Sequence, residues 1–477
     1  MIEQEITLSQ ILTAREERVA IQNALLTEYR APVISFTMNI AGPVKVTALS
    51  HRAFLWGMEQ LRLGFVQNRL PVKKEFSRQL PTGDEGYFAV DAPAERIKAL
   101  CVEIEEGDRY LGRLFDMDVI GTDGRKLERG SERPCIVCGK PGRDCASRRL
   151  HSVAELQRAT ASDFRNGFLF LDRDRIAGLA TRALLEEVAV TPKPGLVDRA
   201  NNGSHKDMDF FSFQASAAGL SSYWGQCFYE GAWRTVVQAD DAAPTSAEAF
   251  AALRPLGKIA ERRMLSATGG VNTHKGAIFT LGVLCGAVGR LWTAEAGFPD
   301  TKAVLNEAAA MTRETLEQEL PAANWNTAGE ALYRKYGARG IRGQVADGLP
   351  AVREISLPVF RKLLAGGLDR NHAAAVTLLH LIANVEDTNL LHRGGPEGAA
   401  WARQTVGAAI GRPPEAEPFE PCRRDKQGLS LHAERPWRVP SLEEIADLDR
   451  QFIQRNLSPG GCADLLAVTL FLESLQD

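Results

Sequence analysis

Two aspartates separated by a single residue, Asp116 and Asp118, carry the clearest chemical signal in the first half of the chain. Their segment, GRLFDMDV (112–119), alternates apolar and acidic residues as a β-strand does, so both carboxylates should face the same side. Neighbouring carboxylates repel each other and raise one pKa unless a cation lies between them. The pattern therefore predicts a Mg²⁺ site, with Arg113 beside it to contact a phosphate. A solvated turn with two surface acids is the alternative interpretation.

Three cysteines and a histidine form a second candidate metal site: Cys135, Cys138, Cys145 and His151. The ligand types and the first Cys-x2-Cys spacing fit tetrahedral zinc, but the longer gaps do not match a standard zinc finger. We therefore favour reduced thiols on a basic loop and keep zinc as the alternative. The neighbouring basic residues would form a positive patch suited to an acidic carrier protein or a nucleotide, or else a solvated linker. They are Arg133, Lys140, Arg143, Arg148 and Arg149.

Five polar segments, most of them rich in glycine, lie between apolar helical stretches in the second half of the chain. They cover residues 191–198 with a continuation to 209, 269–276, 339–343, 384–389 and 458–464. Glycines allow close backbone approach, and a following helix N-terminus attracts anions. Lys275 suits a polyphosphate, and Arg339 and Arg342 place two guanidinium groups on a flexible loop. The adjacent carboxylates of Glu386 and Asp387 suit Mg²⁺ or a ribose.

Each of these five segments has an ordinary interpretation as a turn or a helix cap, and a lone His274 is more often packed than catalytic. Their combination of Lys, Arg, His and carboxylates among Ala- and Leu-rich helices is harder to explain structurally. Together they predict a helical enzyme that binds a phosphorylated ligand with Mg²⁺.

The elements that must position these residues differ between the two halves. The first 150 residues mix strand and helix signals and predict an α+β domain. Residues 31–49, rich in Val, Ile and Thr and interrupted by Gly42-Pro43, predict two strands around a turn. Apolar spacing then predicts a helix, a strand, a second helix and the strand of Asp116, over residues 51–65, 87–90, 94–106 and 114–120.

From about Asp172 helical spacing dominates, which predicts an all-α helical bundle. The predicted helices cover residues 176–190, 210–232, 247–265, 277–291, 302–319, 373–384 and 462–475. The polar segment 160–166 is the expected connector, and the expected domains are therefore 1–160 and 161–477. The stretch 394–441, rich in Pro, Arg and Glu, is expected to be an irregular surface insertion.

The length, charge and composition of the chain argue against several classes of protein. At 477 residues the chain is too long for one ordinary core. Its net charge of −3, from 57 basic and 60 acidic groups, argues against general nucleic-acid binding. A run of about 18 apolar residues is absent from the sequence, so no membrane span is expected. The acidic, polar first residues do not resemble a secretory signal, so we expect a cytoplasmic protein with reduced cysteines.

The five segments of the second half closely resemble the triphosphoribosyl-dephospho-CoA synthase family. The matching stretches are TPKPGLVDRANNGSHKDMD, GGVNTHKGAIFTLG, ARGIRGQ, NVEDTNLLHRGG and SPGGCADLLA, with Cys462 where a small residue such as serine is expected. In the first half, GRLFDMDVIG and RPCIVCGKPGRDCASRRLHS resemble the citrate lyase holo-acyl-carrier-protein synthase family. The whole chain is therefore similar to the fused form, with a nucleotidyltransferase-like α+β domain followed by an all-α domain.

The resemblance implies two successive reactions. The helical domain would join ATP and 3′-dephospho-CoA, with a 2′-hydroxyl attacking C1′ of the ATP ribose and adenine leaving. The first domain would then transfer phosphoribosyl-dephospho-CoA to a serine of the acyl carrier (γ) subunit of citrate lyase and release pyrophosphate.

The resemblance also implies residue roles. Asp116 and Asp118 would hold the metal that activates the serine, with Arg113 beside them. His274 or Asp198 would assist proton transfer, and Glu386 and Asp387 would hold Mg²⁺. The residues expected to bind phosphates and nucleotide are Lys193, Gly269, Gly270, Asn272, Lys275, Arg339 and Arg342.

Three other functions fit parts of the sequence. A malonate decarboxylase counterpart would use the same prosthetic group on another carrier, but the cluster around Cys135 is associated with the citrate lyase branch. A Mg²⁺-dependent glycohydrolase would cleave a ribosyl bond with water and release adenine without dephospho-CoA. A non-enzymatic scaffold would bind an acyl carrier without releasing adenine. Polar loop constellations cost stability and are usually retained for chemistry, which argues against the scaffold.

Overall fold

The structure is a computed structural model that describes residues 4–236, 244–322, 328–411 and 438–476. The chain divides into two compact units, Met1–Leu171 and Asp172–Asp477. The division falls inside a single helix, Val153–Ala189. The described elements are mostly helices, with one small antiparallel sheet. In the described ranges, no helix combines the length and apolarity needed to cross a membrane.

The first unit holds a four-stranded sheet in the order β2-β3-β1-β4, in which all neighbouring strands are antiparallel. Its strands are β1 (Val33–Met38), β2 (Val72–Leu80), β3 (Gly83–Val90) and β4 (Phe115–Ile120). Its helices are α1 (Leu8–Tyr29), α2 (Ala48–Asn68), α3 (Ala94–Gly107), α4 (Gly142–Ser147) and the start of α5 (Val153–Ala189). Strand β4 is an edge strand, so the side chains on it have a neighbouring strand on one side only.

The core of the first unit explains which way β4 faces. On one side of the sheet, Phe36 stacks on Phe54 of α2 at 5.0 Å, and Met117 lies opposite Phe36 in the register. On the other side, Val33 and Tyr87 pack against Leu25 of α1. Because successive strand residues alternate sides, Met117 enters the first core and its two aspartate neighbours face the second side.

The second unit is built from α5 and eleven further helices within its described part. They are α6 (Phe210–Val236), α7 (Ser246–Ala267), α8 (Lys275–Leu291), α9 (Thr301–Ala322), α10 (Ala328–Tyr336), α11 (Gly340–Ala346), α12 (Leu357–Ala365), α13 (Arg370–Asn384), α14 (Thr388–Ala409), α15 (Leu442–Gln454) and α16 (Gly460–Ser474), with a π-helical turn at Ala351–Ser356. One isolated β-bridge joins Thr293 and Gly297. Helices α6 and α8 pack so closely that a Cβ on Gly289 would lie 2.0 Å from the Phe228 carbonyl oxygen.

The helices predicted after Asp172 are all present, and most of their ends are shifted by a few residues. The helix predicted at 176–190 is instead the last part of α5, which begins at Val153. The apolar residues that recur about every 3.6 positions, which predicted these helices, form the stripe that each helix buries. In α7, for example, the buried residues Ala249, Phe250, Leu253, Ala260 and Met264 follow that spacing. The predicted helices at 51–65 and 94–106 and strands at 87–90 and 114–120 are likewise confirmed, as α2, α3, β3 and β4.

The prediction of two strands in residues 31–49 is half wrong. Only Val33–Met38 forms a strand, and it already has β3 on one side and β4 on the other. The later Val and Thr residues lead into helix α2 instead. Thr47 and Ser50 form a capping box there, each side chain accepting from the other residue's backbone N–H.

Three other sequence expectations are corrected. Residues 160–166 are not a connector but part of helix α5. Residues 394–409 are not irregular, because α14 continues to Ala409 past a kink at Gly395, whose φ is +62°. The rest of that expected insertion, 412–437, lies outside the described residues. The arginine segment 339–343 is not a flexible loop either, since helix α11 begins at Gly340.

Candidate functional site

Asp116 and Asp118 lie on the same face of β4, as the alternating sequence predicted. Their side chains are 47% and 28% exposed, while Phe115, Met117 and Val119 between and beside them are buried. Burial and the neighbouring Asp118 carboxylate raise the pKa of Asp116. The arrangement is a partly exposed acidic pair on an edge strand.

Basic side chains approach this acidic pair from the loop that follows β4. Lys126 Nζ lies 2.6 Å from Asp118 Oδ1, and Arg133 Nη2 lies 4.0 Å from Asp116 Oδ1. Arg113, expected beside a phosphate, donates from Nε to the Pro134 carbonyl oxygen at 2.9 Å. A phosphate group here would therefore meet cations as well as the two carboxylates.

Among the described residues, no third ligand converges on the two aspartates. Within the described ranges, Cys135, Cys138, Cys145 and His151 are the one group of three or more metal-ligating side chains that converges. Glu105 is a buried carboxylate that also raises the pKa of Asp116, but it already has other partners. It accepts from the Met117 N–H at 2.9 Å and pairs with Arg129 and Arg133.

The Cys135–His151 cluster is a compact group of ligand atoms. One ligand atom from each of its four residues lies within 4.8 Å of the others. Burial raises the pKa of the Cys135 thiol, but hydrogen bonds from the backbone amides of Cys138 and Val137 and from the other thiols lower it to about 7. The geometry agrees with the zinc alternative, although the sequence spacing favoured unligated thiols.

In the second unit, all five polar segments contribute to a single cavity of about 740 Å³. Its wall also includes residues from helices α5, α6 and α7. Among the expected site residues, those that line it are Lys193, Asn272, His274, Lys275, Arg339, Arg342, Glu386 and Asp387. Segments far apart in the sequence therefore meet in one place, as a shared ligand site requires.

Three expected site residues do not line this cavity. Gly269 and Gly270 both have positive φ, at +66° and +97°, and form the turn after α7. Asp198 is buried behind the cavity wall, where its carboxylate accepts from the backbone N–H groups of Lys193, Ala200 and Asn201. Asp198 therefore shapes the loop, and the geometry does not support it as the proton-transfer group.

His274, the residue that precedes α8, is the cavity side chain best suited to transfer a proton. It is 3% exposed, and its Nδ1 lies 2.7 Å from the Ser216 hydroxyl of α6. Its Nε2 is buried without a hydrogen-bond partner among the described residues. Burial and then the nearby Lys193 lower its pKa to about 3. The imidazole is therefore neutral near pH 7, and Nδ1 bonded to Ser216 leaves Nε2 to exchange a proton with a ligand.

Lys193 lies at the inner end of the cavity and is 1% exposed. Its Nζ donates to the Glu187 carboxylate at 2.5 Å and to the Glu187 carbonyl oxygen at 2.8 Å. Burial raises the pKa of Glu187, and Lys193 opposes that shift. A phosphate on Lys193 would have to share this cation with Glu187.

Two carboxylates already occupy helix N-termini at the cavity. Asp387 accepts from the N–H groups of Asn389 and Leu390 at the start of α14, and from Cys462 near the start of α16. Asp464 accepts from the Ala277 N–H at the start of α8. A Cβ on Gly276 would lie 1.9 Å from Asp464 Oδ2, so only glycine fits beside that carboxylate. Burial, Glu187 and Asp387 raise the pKa of Asp464.

The remaining expected cations lie towards the open side of the cavity. Lys275 is 48% exposed and 3.4 Å from Glu261, and Arg339 pairs with Asp347 at 2.7 Å. Arg342 also lines the wall. Burial raises the pKa of Glu386, and Arg403 opposes that shift. Cations near the mouth and carboxylates at the inner end suit a ligand with a phosphate chain and a bound divalent cation.

Sequence reasoning gave no role to three residues of this site: Glu187, Ser216 and Asp464. Asp464 and Ser216 offered no distinct local signal. Glu187 did, because it falls on the stripe of α5 that buries Ala180, Ala183, Leu184 and Val188. An acid within an apolar 3.6-residue stripe is unusual and indicates a buried partner.

Comparison with known proteins agrees with this two-part geometry. Residues 173–477 match the family model for ATP:dephospho-CoA triphosphoribosyl transferase, and residues 6–166 match that for apo-citrate lyase phosphoribosyl-dephospho-CoA transferase.

Full-length relatives carry both parts in one chain. Protein CitXG of Haemophilus influenzae is 34% identical over 99% of this chain and 97% of its own length. Protein CitXG of Leuconostoc mesenteroides subsp. cremoris is 30% identical over 99% and 98%. A probable 2-(5″-triphosphoribosyl)-3′-dephosphocoenzyme-A synthase of Citrobacter koseri is 41% identical over 63% of this chain and 91% of its own. The chain therefore belongs to the family of fused proteins that combine an apo-citrate lyase phosphoribosyl-dephospho-CoA transferase with an ATP:dephospho-CoA triphosphoribosyl transferase.

Proposed function

We propose that the cavity of the second unit makes 2′-(5″-triphosphoribosyl)-3′-dephospho-CoA and that the β4 edge of the first unit attaches it to citrate lyase. The observation that carries the proposal is the convergence of all five family-like segments on one cavity containing a neutral, buried histidine. ATP and dephospho-CoA are intracellular metabolites, so both reactions would take place in the cytoplasm.

In the first reaction, the 2′-hydroxyl oxygen of dephospho-CoA forms a bond to C1′ of the ATP ribose. The bond from C1′ to adenine breaks. The proton that the 2′-hydroxyl loses ends on the departing adenine. Lys275, Arg339 and Arg342 at the cavity mouth bind the triphosphate. Asn272, in the loop before α8, lines the same wall and contacts the nucleotide.

His274 acts as the proton acceptor for the attacking hydroxyl. In the tautomer whose Nδ1–H donates to Ser216, the lone pair of Nε2 is left for a ligand in the cavity that His274 lines. The lowered pKa leaves the imidazole unprotonated at neutral pH but also makes it a weak base, so it accepts the proton only as the bond to C1′ forms. Ser216 is a positioning residue, because it fixes the ring without reaching the ligand.

The carboxylates around the inner end of this cavity fit Mg²⁺. Asp464 lies near Glu187 and Asp387, with Lys193 paired to Glu187, and Glu386 lines the same cavity. Burial first, and then the Glu187 and Asp387 carboxylates, raise the pKa of Asp464, and a divalent cation would relieve the repulsion among these carboxylates. Glu386 and Asp387 are the proposed ligands, although three of the acceptor positions of Asp387 are used by backbone amides. The ion would neutralise the phosphate charge when bound.

The second reaction belongs to a nucleotidyltransferase-like first unit. A serine oxygen of the acyl carrier (γ) subunit forms a bond to the phosphorus attached to the ribose, and the bond to pyrophosphate breaks. Asp116 and Asp118 are adjacent, share a face and fit a divalent cation, since the pKa of Asp116 is raised by burial and by Asp118. Such a cation would stabilise the attacking and leaving oxygens. Arg113, Lys126 and Arg133 would meet the phosphates.

The proposal is tested by mass spectrometry of the apo carrier after incubation with this protein, ATP, Mg²⁺ and dephospho-CoA. The carrier should gain the mass of phosphoribosyl-dephospho-CoA on one serine, and adenine should appear in equal amount. Leaving out dephospho-CoA should stop adenine release. Adenine released without dephospho-CoA would instead indicate a glycohydrolase and contradict the proposal.

A further inference from the structure

We propose that Cys135, Cys138, Cys145 and His151 bind a structural zinc ion that holds the loop after β4 in place. The convergence of four ligand atoms within 4.8 Å of one another carries the proposal. Nothing in either reaction requires this ion, so the inference stands apart from the proposed function.

The distances match a tetrahedral site. The Sγ atoms of Cys138 and Cys145 are 3.5 Å apart, and His151 Nε2 lies 3.3 Å from Cys138 Sγ. Around zinc, with Zn–S near 2.3 Å and Zn–N near 2.0–2.1 Å, tetrahedral angles give ligand separations of about 3.8 Å and about 3.6 Å. Each of these two separations would have to lengthen by only about 0.3 Å for the atoms to surround a zinc ion.

The backbone of this loop is built to aim the first two cysteines inward. Cys135 N–H donates to the Lys140 carbonyl oxygen at 2.7 Å, and Gly139 N–H donates to the Cys135 carbonyl oxygen at 2.9 Å. Gly139 has φ +70°, a conformation that other residues adopt with strain. The resulting tight turn also directs the amides of Val137 and Cys138 at the Cys135 sulfur, as in a loop that stabilises a thiolate.

The charge around the cluster suits a bound ion. Three thiolates and Zn²⁺ together carry one negative charge, which the basic residues near the cluster can balance. Residues 133–149 supply Arg133, Lys140, Arg143, Arg148 and Arg149. These basic residues can therefore serve to balance the charge of the metal site, in addition to binding an acidic ligand.

The cluster is tied to the acidic edge of β4. Gly142 N–H donates to the Arg133 carbonyl oxygen at 3.0 Å, and Arg133 Nη1 donates to the Phe115 carbonyl oxygen at 2.7 Å. From the other direction, Arg113 donates to the Pro134 carbonyl oxygen at 2.9 Å. Fixing the loop at zinc therefore fixes Arg133, which lies 4.0 Å from Asp116, together with the carbonyl group that holds Arg113.

The test is the zinc content of the full-length chain, purified without chelator under reducing conditions and analysed by mass spectrometry of metals. One zinc per chain is expected in the wild-type protein. Cys138→Ala and Cys145→Ala should each lose most of it. Cys101→Ala is the matched control, because Cys101 is a buried free cysteine of the same unit outside the cluster, and it should keep its zinc.

Adenine release measures whether each variant chain retains a working second unit, and Co²⁺ substitution of the wild-type protein gives a second readout. Thiolate-to-cobalt charge-transfer absorption is expected for a tetrahedral sulfur site. Wild-type protein that contains no zinc after incubation with zinc sulfate and gel filtration would overturn the proposal. So would zinc loss in Cys101→Ala equal to that in Cys138→Ala, or a Cys138–Cys145 disulfide in the active protein.

Discussion

The two candidate sites differ in how the chain assembles them. The acidic pair of β4 comes from one strand, with Asp116 and Asp118 two residues apart and partly exposed. The cavity of the second unit collects side chains from segments spread between Thr191 and Asp464, and its key groups are buried. A strand can present paired ligands by its alternation alone, whereas a helical bundle needs several helix starts to meet.

Electrostatics follow the same division. At β4, exposed cations such as Lys126 contact the carboxylates. In the cavity, fixed dipoles and buried pairs set the charge, as at Asp387 with its three amides and at Lys193 with Glu187. The first site is therefore ready to exchange ions with solvent, and the second is preorganised for one ligand arrangement.

The strongest test of this separation is Asp116→Asn. Loading of the carrier from preformed triphosphoribosyl-dephospho-CoA should fall by about 10²–10³-fold or more, the scale for losing one charge-stabilising group. Adenine release should not change. Asp123→Asn, an acid 61% exposed in the same unit, is the control and should retain loading. Loss of both activities in Asp116→Asn would contradict two independent sites.

The reverse test is His274→Gln, which removes the proton acceptor. Adenine release should fall by roughly 10²–10⁴-fold, the range for general-base catalysis, and loading from the preformed intermediate should remain. Ser216→Ala should give a smaller loss in kcat with little change in the KM for ATP, since it only orients the ring.

His372→Gln is the control for that pair, because His372 faces the Pro440 carbonyl oxygen and does not line the cavity. Normal adenine release by His274→Gln, measured by chromatography, would remove His274 from the mechanism.

A smaller effect is expected at the cavity mouth. Lys275→Ala should raise the KM for ATP about tenfold, on the scale of about 1.5 kcal/mol for one hydrogen bond to a charged group. Carrier loading from the preformed intermediate should be spared. Lys258→Ala, an exposed lysine of α7 outside the cavity, is the control. An equal KM in the two variants would show that Lys275 does not bind the triphosphate.

The smallest expected effect concerns stability against pH. The pKa of His274 is lowered to about 3 by burial and Lys193, so below its unfolded value near 6.5 the unfolded chain binds the extra proton. Its contribution to stability is present above about pH 6.5 and is lost as pH falls towards 3, by about 1.4 kcal/mol per pH unit.

The urea midpoint of the second unit, followed from pH 7 to pH 5, should therefore fall less steeply in His274→Gln than in the wild type. The raised pKa of Asp116 in the first unit acts with the opposite sign in metal-free protein, since its folded state binds the proton more tightly. Identical slopes for wild type and His274→Gln would show that His274 is not buried in its neutral form.

Sequence patterns predicted the elements whose burial is regular. The alternation around Met117 gave β4, and the 3.6-residue stripes gave seven helices after Asp172, α5–α9, α13 and α16. Helices α10, α11, α12, α14 and α15 were not predicted. Strand β2 was missed because VKKEFSRQL is charged and mostly exposed, and only pairing with β3 makes it a strand. Helix α1 was missed as well, although Thr7 and Gln10 form a capping box at its start.

The site was predictable as a list of segments but not as a geometry. Which of those residues face the ligand depends on distant helix ends. Asp198 was expected to react but supports its own loop, while Glu187 and Asp464 from other helices reach the cavity. Such contacts between residues far apart in sequence leave little trace in local spacing.

The bonds of Asp387 have a consequence for anyone who wishes to dissect metal binding. One side chain fastens the first turns of α14 and α16 together, so Asp387→Ala would loosen two walls of the cavity at once. Reduced activity in that variant could therefore result from a deformed cavity as well as from loss of the ion. Glu386 lines the same chamber and, within the described contacts, holds no helix end, which makes Glu386→Gln the cleaner probe of the cation.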